Sequence, residues 1–337
     1  MNVMRQKYIH FSHINAIGNF IPELSFNFVL IIPYCMRIFT ILLSAFIYSS
    51  SLLANEVDDL KTDRQVESFI RAQSPALADA RIAYKDFLYP DAVKQQIADS
   101  LKVKLWQKVD FDNNGQTDLL AYISSNGQNY LTAFIDEGGS FSVHFISKWP
   151  FAEIYYPVIR KRDNLSLLIL YRICAYCHGK DETIFGTDTL VYKFGNFIEY
   201  QEPGLVFMPH KIERIEYSTT PCYGTCPVFE IDINANRKAQ YHAISYDDTT
   251  GTFTAVIDTF RYNRLLAVLN YADFPSLRDD YRVVWTNDQA SSLIITYDGG
   301  NIKKIYDYGQ VGTHGLSIVY ALLYDLRKNQ AWKRVSR

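Results

Sequence analysis

From residue 101 onward the sequence consists of short segments in which apolar and polar residues alternate, separated by Gly, Asn and Asp. Alternation with a period of two places every second side chain on one face of a pleated strand. The 25 Tyr and 21 Phe residues suit such half-buried surfaces. The clearest segments are residues 130–135, 140–145, 165–171 and 189–193. The sequence therefore predicts a fold dominated by antiparallel strands.

Helical patterns precede and interrupt these strands. In residues 55–205 we predict short helices capped by Asp63 and Asp91, followed by one antiparallel β-meander. In residues 210–330 we predict a second domain with two helices, the first capped by Asp258. The predicted fold class is α+β, with the two helices of the second domain packed on one face of an antiparallel sheet.

The N-terminal region has the order of an export signal. Arg37 follows Met36, an apolar run covers residues 38–48, and small residues lead to Ala54 before a charged segment. This order predicts a signal peptide over residues 36–54, cleavage after Ala54 and a periplasmic or secreted protein. Residues 1–35 then have no role, and we expect translation to start at Met36. The alternative is an uncleaved N-terminal membrane anchor, because residues 28–32 extend the apolar run.

Charge and hydropathy restrict the partners. The formal net charge is −2, and no cluster of Lys and Arg provides the positive surface that nucleic-acid binding requires. No segment after residue 54 is apolar enough to span a membrane. We therefore expect no nucleic-acid partner and no span in the mature chain. A protein or envelope partner remains open.

Four cysteines remain in the mature chain, in two close pairs. Cys174 and Cys177 form one pair, and Cys222 and Cys226 form the other. In an oxidising compartment, paired cysteines predict two disulfides. Gly224 is expected to allow the turn that brings Cys222 and Cys226 together.

The first pair also belongs to a C-x-x-C-H string that ends at His178. This is the attachment signal of haem c, in which the two thiols bind the haem and the histidine ligates the iron. Strand-like segments flank the string, whereas such signals normally lie on helices. A periplasmic c-type haem electron carrier is therefore the alternative function, and a local disulfide or a zinc site are the other interpretations of this pair.

Residues 110–118 have the spacing of a calcium loop. Oxygen-bearing side chains recur around a glycine at position six; they are Asp110, Asp112, Asn114, Gln116 and Asp118. Calcium takes about six to eight oxygen ligands, and a glycine lets the loop turn around the ion. The flanks are strand-like, and the loop resembles those of FG-GAP-like β proteins. The alternative is a tight turn in which the Asp side chains bond their own backbone.

The second cysteine pair lies in the string CYGTCP between two strand-like segments. Further related strings occur at residues 251–253, 274–277, 279–281 and 306–309. With these strings, residues from about 212 to about 326 resemble the bacterial domain-of-unknown-function family number 6438. The resemblance implies a fold and an exported location, and it implies no activity and no site residues.

The sequence contains no recognisable catalytic set. It has no Ser/His/Asp order, no phosphate-binding glycine loop and no HExxH string. His314 lies between two glycines and is expected to be an ordinary loop or helix-entry residue. We therefore predict no catalytic residues and, as the leading function, an exported, soluble, non-enzymatic binding or envelope-interaction module with structural disulfides.

Overall fold

The computed structural model describes residues 55–150, 152–174, 184–202 and 209–335. The predicted signal peptide and the upstream segment lie outside these residues. The described residues form a mixed α+β structure with three mainly antiparallel sheets, which confirms the predicted fold class.

Short helices begin the described chain. The α-helices are α1 (Asp63–Gln73), α2 (Lys85–Leu88) and α3 (Ala92–Ser100), and 3₁₀-helices cover Glu56–Asp59 and Pro75–Leu77. Thr62, not Asp63, caps α1: its hydroxyl accepts a hydrogen bond from the Gln65 N–H, and the Gln65 side chain returns a bond to the Thr62 backbone. This reciprocal capping box places the N-cap one residue before the predicted one, so the helix begins at Asp63. Asp91 caps α3 as predicted.

The predicted meander is divided into two sheets. The first contains β1 (Arg81–Ile82), β2 (Trp106–Val109), β3 (Asp118–Ser125), β4 (Gln128–Asp136) and β5 (Phe141–Phe145). The second contains β6 (Glu153–Arg162), β7 (Leu165–Cys174), β8 (Ile184–Lys193) and β9 (Asn196–Glu199), paired in chain order. All pairings in both sheets are antiparallel.

The third sheet has eight strands. They are β10 (Ile212–Thr219), β11 (Val228–Asn234), β12 (Lys238–Ser245), β13 (Gly251–Val256), β14 (Asp280–Arg282), β15 (Ala290–Tyr297), β16 (Asn301–Tyr308) and β17 (Lys333–Arg334). Their order is β14-β16-β15-β10-β11-β12-β13-β17, and only the β14–β16 pair among them is parallel. The chain also contains α4 (Thr259–Tyr271), a 3₁₀-helix (Phe274–Ser276) and α5 (His314–Leu326).

The hydrophobic core joins the second sheet to the third. Alternate residues of β11, such as Phe229 and Ile231, pack in one cluster with the apolar faces of α4 and α5. Leu167, Val191 and Ile198 of the second sheet belong to the same cluster. Because the two regions share buried apolar side chains, the second sheet is held against the N-terminal end of α5. Among the described residues, no helix has both the length and the apolar character needed to cross a membrane.

Candidate functional site

A polar cleft opens where the second sheet meets the start of α5 and the segment around β14. Its volume is about 370 Å³, within the range of small-molecule sites. Strands β6 to β9 and the preceding Lys148 form one wall. Residues 278–282 and 311–314 form the other wall. The cleft is therefore assembled from both halves of the chain.

One arginine organises the carboxylates of the first wall. Arg172 of β7 lies 3.0 Å from Glu153 Oε1 through Nη1 and 2.7 Å from Asp188 Oδ2 through Nε. The Tyr155 hydroxyl donates a further hydrogen bond to Glu153. Burial raises the pKa of Glu153, while the Arg172 charge lowers it. Glu153 thus accepts hydrogen bonds from two protein donors, while Asp188 is held by the Arg172 charge as an ion pair.

A third carboxylate caps α5 from the second sheet. Glu199, the last residue of β9, accepts hydrogen bonds from the His314 N–H at 2.5 Å and the Gly315 N–H at 2.9 Å. Thr313 is the N-cap, and its hydroxyl accepts a bond from the Leu316 N–H at 3.2 Å. A carboxylate is stabilised at this end of a helix by the free N–H groups and the helix dipole. This contact also ties β9 to α5.

The loop before α5 is closed over a buried aspartate. Asp307 is 0% exposed, and it accepts hydrogen bonds from the Val311 N–H at 2.8 Å and the Gly312 N–H at 3.0 Å. A Cβ at position 312 would lie 2.6 Å from Asp307 Oδ2 and 2.8 Å from Leu316 Cδ1. Only glycine fits there without a shift of the neighbours. Burial raises the pKa of Asp307, and the two backbone bonds oppose that rise.

Lys148 spans the cleft between the two walls. Its Nζ donates a hydrogen bond to the Gly312 carbonyl oxygen. Burial lowers the pKa of Lys148 to about 8, although four surrounding carboxylates favour its charged form; they are Glu199, Asp307, Glu153 and Asp188. None of the ion pairs among the described residues joins Lys148 to a carboxylate. The amine therefore keeps hydrogen-bonding capacity.

His314 and Arg278 complete the second wall. His314 is the first residue of α5, which is the predicted helix-entry position. Its ring lines the cleft and makes no hydrogen bond to another described residue. Burial and the charges of Lys148 and Arg172 hold the pKa of His314 well below its usual value, so the ring is neutral. The exposed Arg278 guanidinium lies 4.5 Å from the centre of the Tyr281 ring, and it has no ion pair among the described residues. The cleft thus offers hydrogen-bond donors and one neutral imidazole.

The acidic loop between β2 and β3 gathers three of the five predicted calcium ligands. Carboxylate oxygens of Asp110, Asp112 and Asp118 all lie within 4.8 Å of one another. Asp118 is 0% exposed, and its two oxygens accept bonds from the Phe111 and Asp136 backbone N–H groups. Burial is the main cause that raises the pKa of Asp118 to about 7.

Some of the remaining oxygens of this loop fit the predicted tight turn, and one fits the predicted calcium site. Asp112 and Asn114 accept bonds from backbone N–H groups two residues ahead, which is the predicted turn geometry. The Asn114 amide donates to the Asp136 carbonyl oxygen at 2.7 Å. Asp110 Oδ1 is buried without a hydrogen-bond partner in the described structure. Gln116 stays a predicted ligand only.

Of the two cysteine pairs, only Cys222 and Cys226 lie fully within the described residues. Cys222 and Cys226 are joined by a disulfide, with their Cα atoms 5.8 Å apart. Gly224 has no left-handed backbone, and a Cβ there would meet only Cys222 Sγ, at an ordinary 3.6 Å, so the turn does not depend on a glycine at this position. Cys177 and His178, together with the Cys174 side chain, lie outside the described residues. The predicted second disulfide and the haem c alternative therefore stay predictions.

Comparison with known families places the cleft at the border of a known domain. Residues 213–327 match the family described as Domain of unknown function (DUF6438). This match confirms the predicted resemblance, and the DUF6438 segment contains β10 to β16, α4 and α5. The resemblance of residues 110–118 to FG-GAP-like loops is not confirmed. No curated protein matches the chain.

The DUF6438 segment supplies only one wall of the cleft. Arg278 and His314 belong to it, whereas Lys148, Arg172 and Glu199 come from the preceding strands. Sequence reasoning missed these last three residues, because they are isolated charges on separate elements and form no motif. The one local signal was His314 between two glycines at a helix entry.

Proposed function

We propose that the protein is exported and acts as a non-catalytic binding or envelope-interaction module, with the polar cleft as its ligand site. The observation that carries this proposal is the pairing pattern in the cleft. Its carboxylates accept hydrogen bonds from protein donors or, for Asp188, form an ion pair with Arg172, while Lys148, Arg278 and His314 retain hydrogen-bonding capacity. A site of this kind is arranged to hold a polar ligand.

The same pattern argues against a nucleophilic hydroxyl or thiol and against an unengaged carboxylate base in the cleft. The Thr313 hydroxyl caps α5, and the described lining residues include neither Ser nor Cys. Glu153 and Asp188 are both engaged by Arg172, and Glu199 is engaged by α5.

Export is supported by the order of residues 36–54 and by the Cys222–Cys226 disulfide. Structural disulfides persist in oxidising compartments and are rare in the cytosol. Cleavage after Ala54 would remove the signal peptide and release a soluble periplasmic or secreted protein.

Catalysis is tested by incubating the purified protein with chromogenic esterase, phosphatase and glycosidase substrates. The expected result is no turnover above that of a boiled sample. Product release that disappears in His314→Gln or Lys148→Met would contradict the proposal, because the cleft would then be an active site.

We also propose a structural calcium ion in the acidic loop, held by Asp110, Asp112 and Asp118. Three carboxylates brought close together in a partly buried loop repel one another, and a cation offsets that repulsion. The buried Asp110 Oδ1, which accepts no protein hydrogen bond, fits a hard cation that prefers oxygen ligands.

The calcium proposal is tested by thermal unfolding after removal of divalent cations. Calcium at about a hundredfold excess over its dissociation constant should raise the melting temperature by roughly 5–10 °C. Asp112→Asn should abolish most of this shift, and Asp59→Asn, an exposed carboxylate elsewhere, should leave it unchanged. An equal melting temperature with and without calcium in the parent protein would contradict the site.

A further inference from the structure

We infer that the polar cleft binds a small molecule through an oxyanion group, a carboxylate or a phosphate. The inference names the ligand class of the cleft and rests on the proposed binding function. It depends on three features of the cleft: which polar groups are already satisfied, which are not, and how much space they surround.

The carboxylates of the cleft are paired with groups of the protein itself. Arg172 donates a hydrogen bond to Glu153 at 3.0 Å and forms an ion pair with Asp188 at 2.7 Å. The N-terminus of α5 offsets the negative charge of Glu199, whose two oxygens each accept a hydrogen bond from a backbone N–H group. Asp307 is fully buried beneath the loop and accepts two backbone bonds. A cationic ligand would have to displace these donors.

The cations are not satisfied to the same extent. Lys148 is bonded to one carbonyl oxygen, which leaves two of its three N–H donors. The Arg278 guanidinium lies 4.5 Å from the centre of the Tyr281 ring and makes no hydrogen bond or ion pair with another described residue, so its N–H donors are available. Arg282 at the rim is paired with Asp280. The unsatisfied hydrogen-bonding groups are therefore mainly donors, which match the acceptor oxygens of a carboxylate or phosphate.

The size and remaining polarity of the cleft restrict the rest of the ligand. A volume of about 370 Å³ holds a small molecule, and a folded partner would not fit inside it. The neutral His314 ring adds a hydrogen-bonding group with no net charge, suited to a hydroxyl or amide of the ligand. The Tyr281 side chain, 7% exposed, closes the wall below Arg278.

Binding is tested by titrating the purified protein with succinate and, separately, with inorganic phosphate in Tris chloride buffer. Calorimetry gives the dissociation constant, and histidine-ring NMR signals, assigned with His314→Gln, report the location. Arg278→Gln and Lys148→Met remove cleft donors, and Arg64→Gln is the matched control on the exposed surface of α1. Each cleft substitution should weaken binding by about tenfold or more, because it removes a charge-assisted hydrogen bond.

The inference is supported by saturable binding of either probe that shifts the His314 signal and weakens in Arg278→Gln but not in Arg64→Gln. The tighter probe identifies the oxyanion as carboxylate or phosphate. The inference is overturned if neither probe binds, or if Arg278→Gln and Lys148→Met bind as well as the parent. Arg278 is exposed, so its variant remains informative if Lys148→Met does not fold. Turnover in the substrate assays would instead contradict the proposed non-catalytic function. It would not change the outcome of the oxyanion titrations, so the two tests can fail separately.

Discussion

Lys148 and Gly312 meet across the cleft and join its two walls. The lysine amine donates to the glycine carbonyl, and the glycine leaves room for the Asp307 carboxylate. Neither residue belongs to a sequence motif that the chain reveals by itself. Their roles arise from contacts 164 positions apart in the chain, which no local pattern encodes.

The charge of Lys148 predicts the pH dependence of oxyanion binding. With a pKa lowered to about 8, the amine is charged below this pH and loses its proton above it. Succinate, whose own charge is constant above neutral pH, should bind with constant affinity up to about pH 7.5 and more weakly above pH 8. Above the pKa, the affinity should fall and then level off near the affinity of Lys148→Met.

The matching control is Lys148→Met, for which calorimetric titrations should give a flat pH profile over the same range. The carboxylates that face the amine are Glu153, Asp188, Glu199 and Asp307. A flat profile in the parent protein would show that Lys148 does not contribute its charge to binding.

Gly312→Ala should destabilise the protein by about 1–3 kcal/mol, because the new Cβ would overlap Asp307 and Leu316. Urea unfolding measures the change in the free energy of unfolding. Gly224→Ala is the matched control, since its Cβ would make only one ordinary contact, and its effect should stay within about 0.5 kcal/mol. Equal free energies for the two variants would contradict the tight packing at position 312.

The helices and strands show which parts of the fold follow from local sequence. Asp91 and Asp258 cap helices as predicted, and the hairpin between β15 and β16 turns at residues 298–300. The division of the meander at residues 146–152 was not predictable, because strand patterns give pairing faces and do not say where one sheet ends. The parallel pairing of β14 with β16 is likewise a long-range contact.

The disulfide turn between β10 and β11 should contribute about 2 kcal/mol to stability. This value comes from the entropy that a short closed loop removes from the unfolded chain. The double substitution Cys222→Ser and Cys226→Ser should lower the free energy of urea unfolding by this amount. It leaves the other cysteine pair intact, so the effect belongs to this turn.

Tyr223→Ala is the control for the disulfide turn. Tyr223 lies between the two cysteines and is 89% exposed. Loss of its side chain should change the free energy of unfolding by less than about 0.5 kcal/mol. If the serine variant is as stable as the parent, the disulfide does not stabilise this pair of strands.

In the whole molecule, the shared core couples the second sheet to the DUF6438 segment. Leu167, Val191 and Ile198 pack with residues of α4 and α5, and Glu199 caps α5. We therefore expect one cooperative unfolding transition in calorimetry, with equal calorimetric and van't Hoff enthalpies. Two separate transitions would instead support the independent domains 55–205 and 210–330 predicted from the sequence.

Export as a colourless, disulfide-bonded binding protein is tested most directly by the intact mass of the protein recovered from a periplasmic fraction. The predicted mass is that of a chain starting at Asn55, two hydrogens lighter for each of two disulfides, with no haem. An unprocessed chain confined to the cytoplasm would contradict export. A mass increased by one covalent haem would replace the binding function with electron transfer.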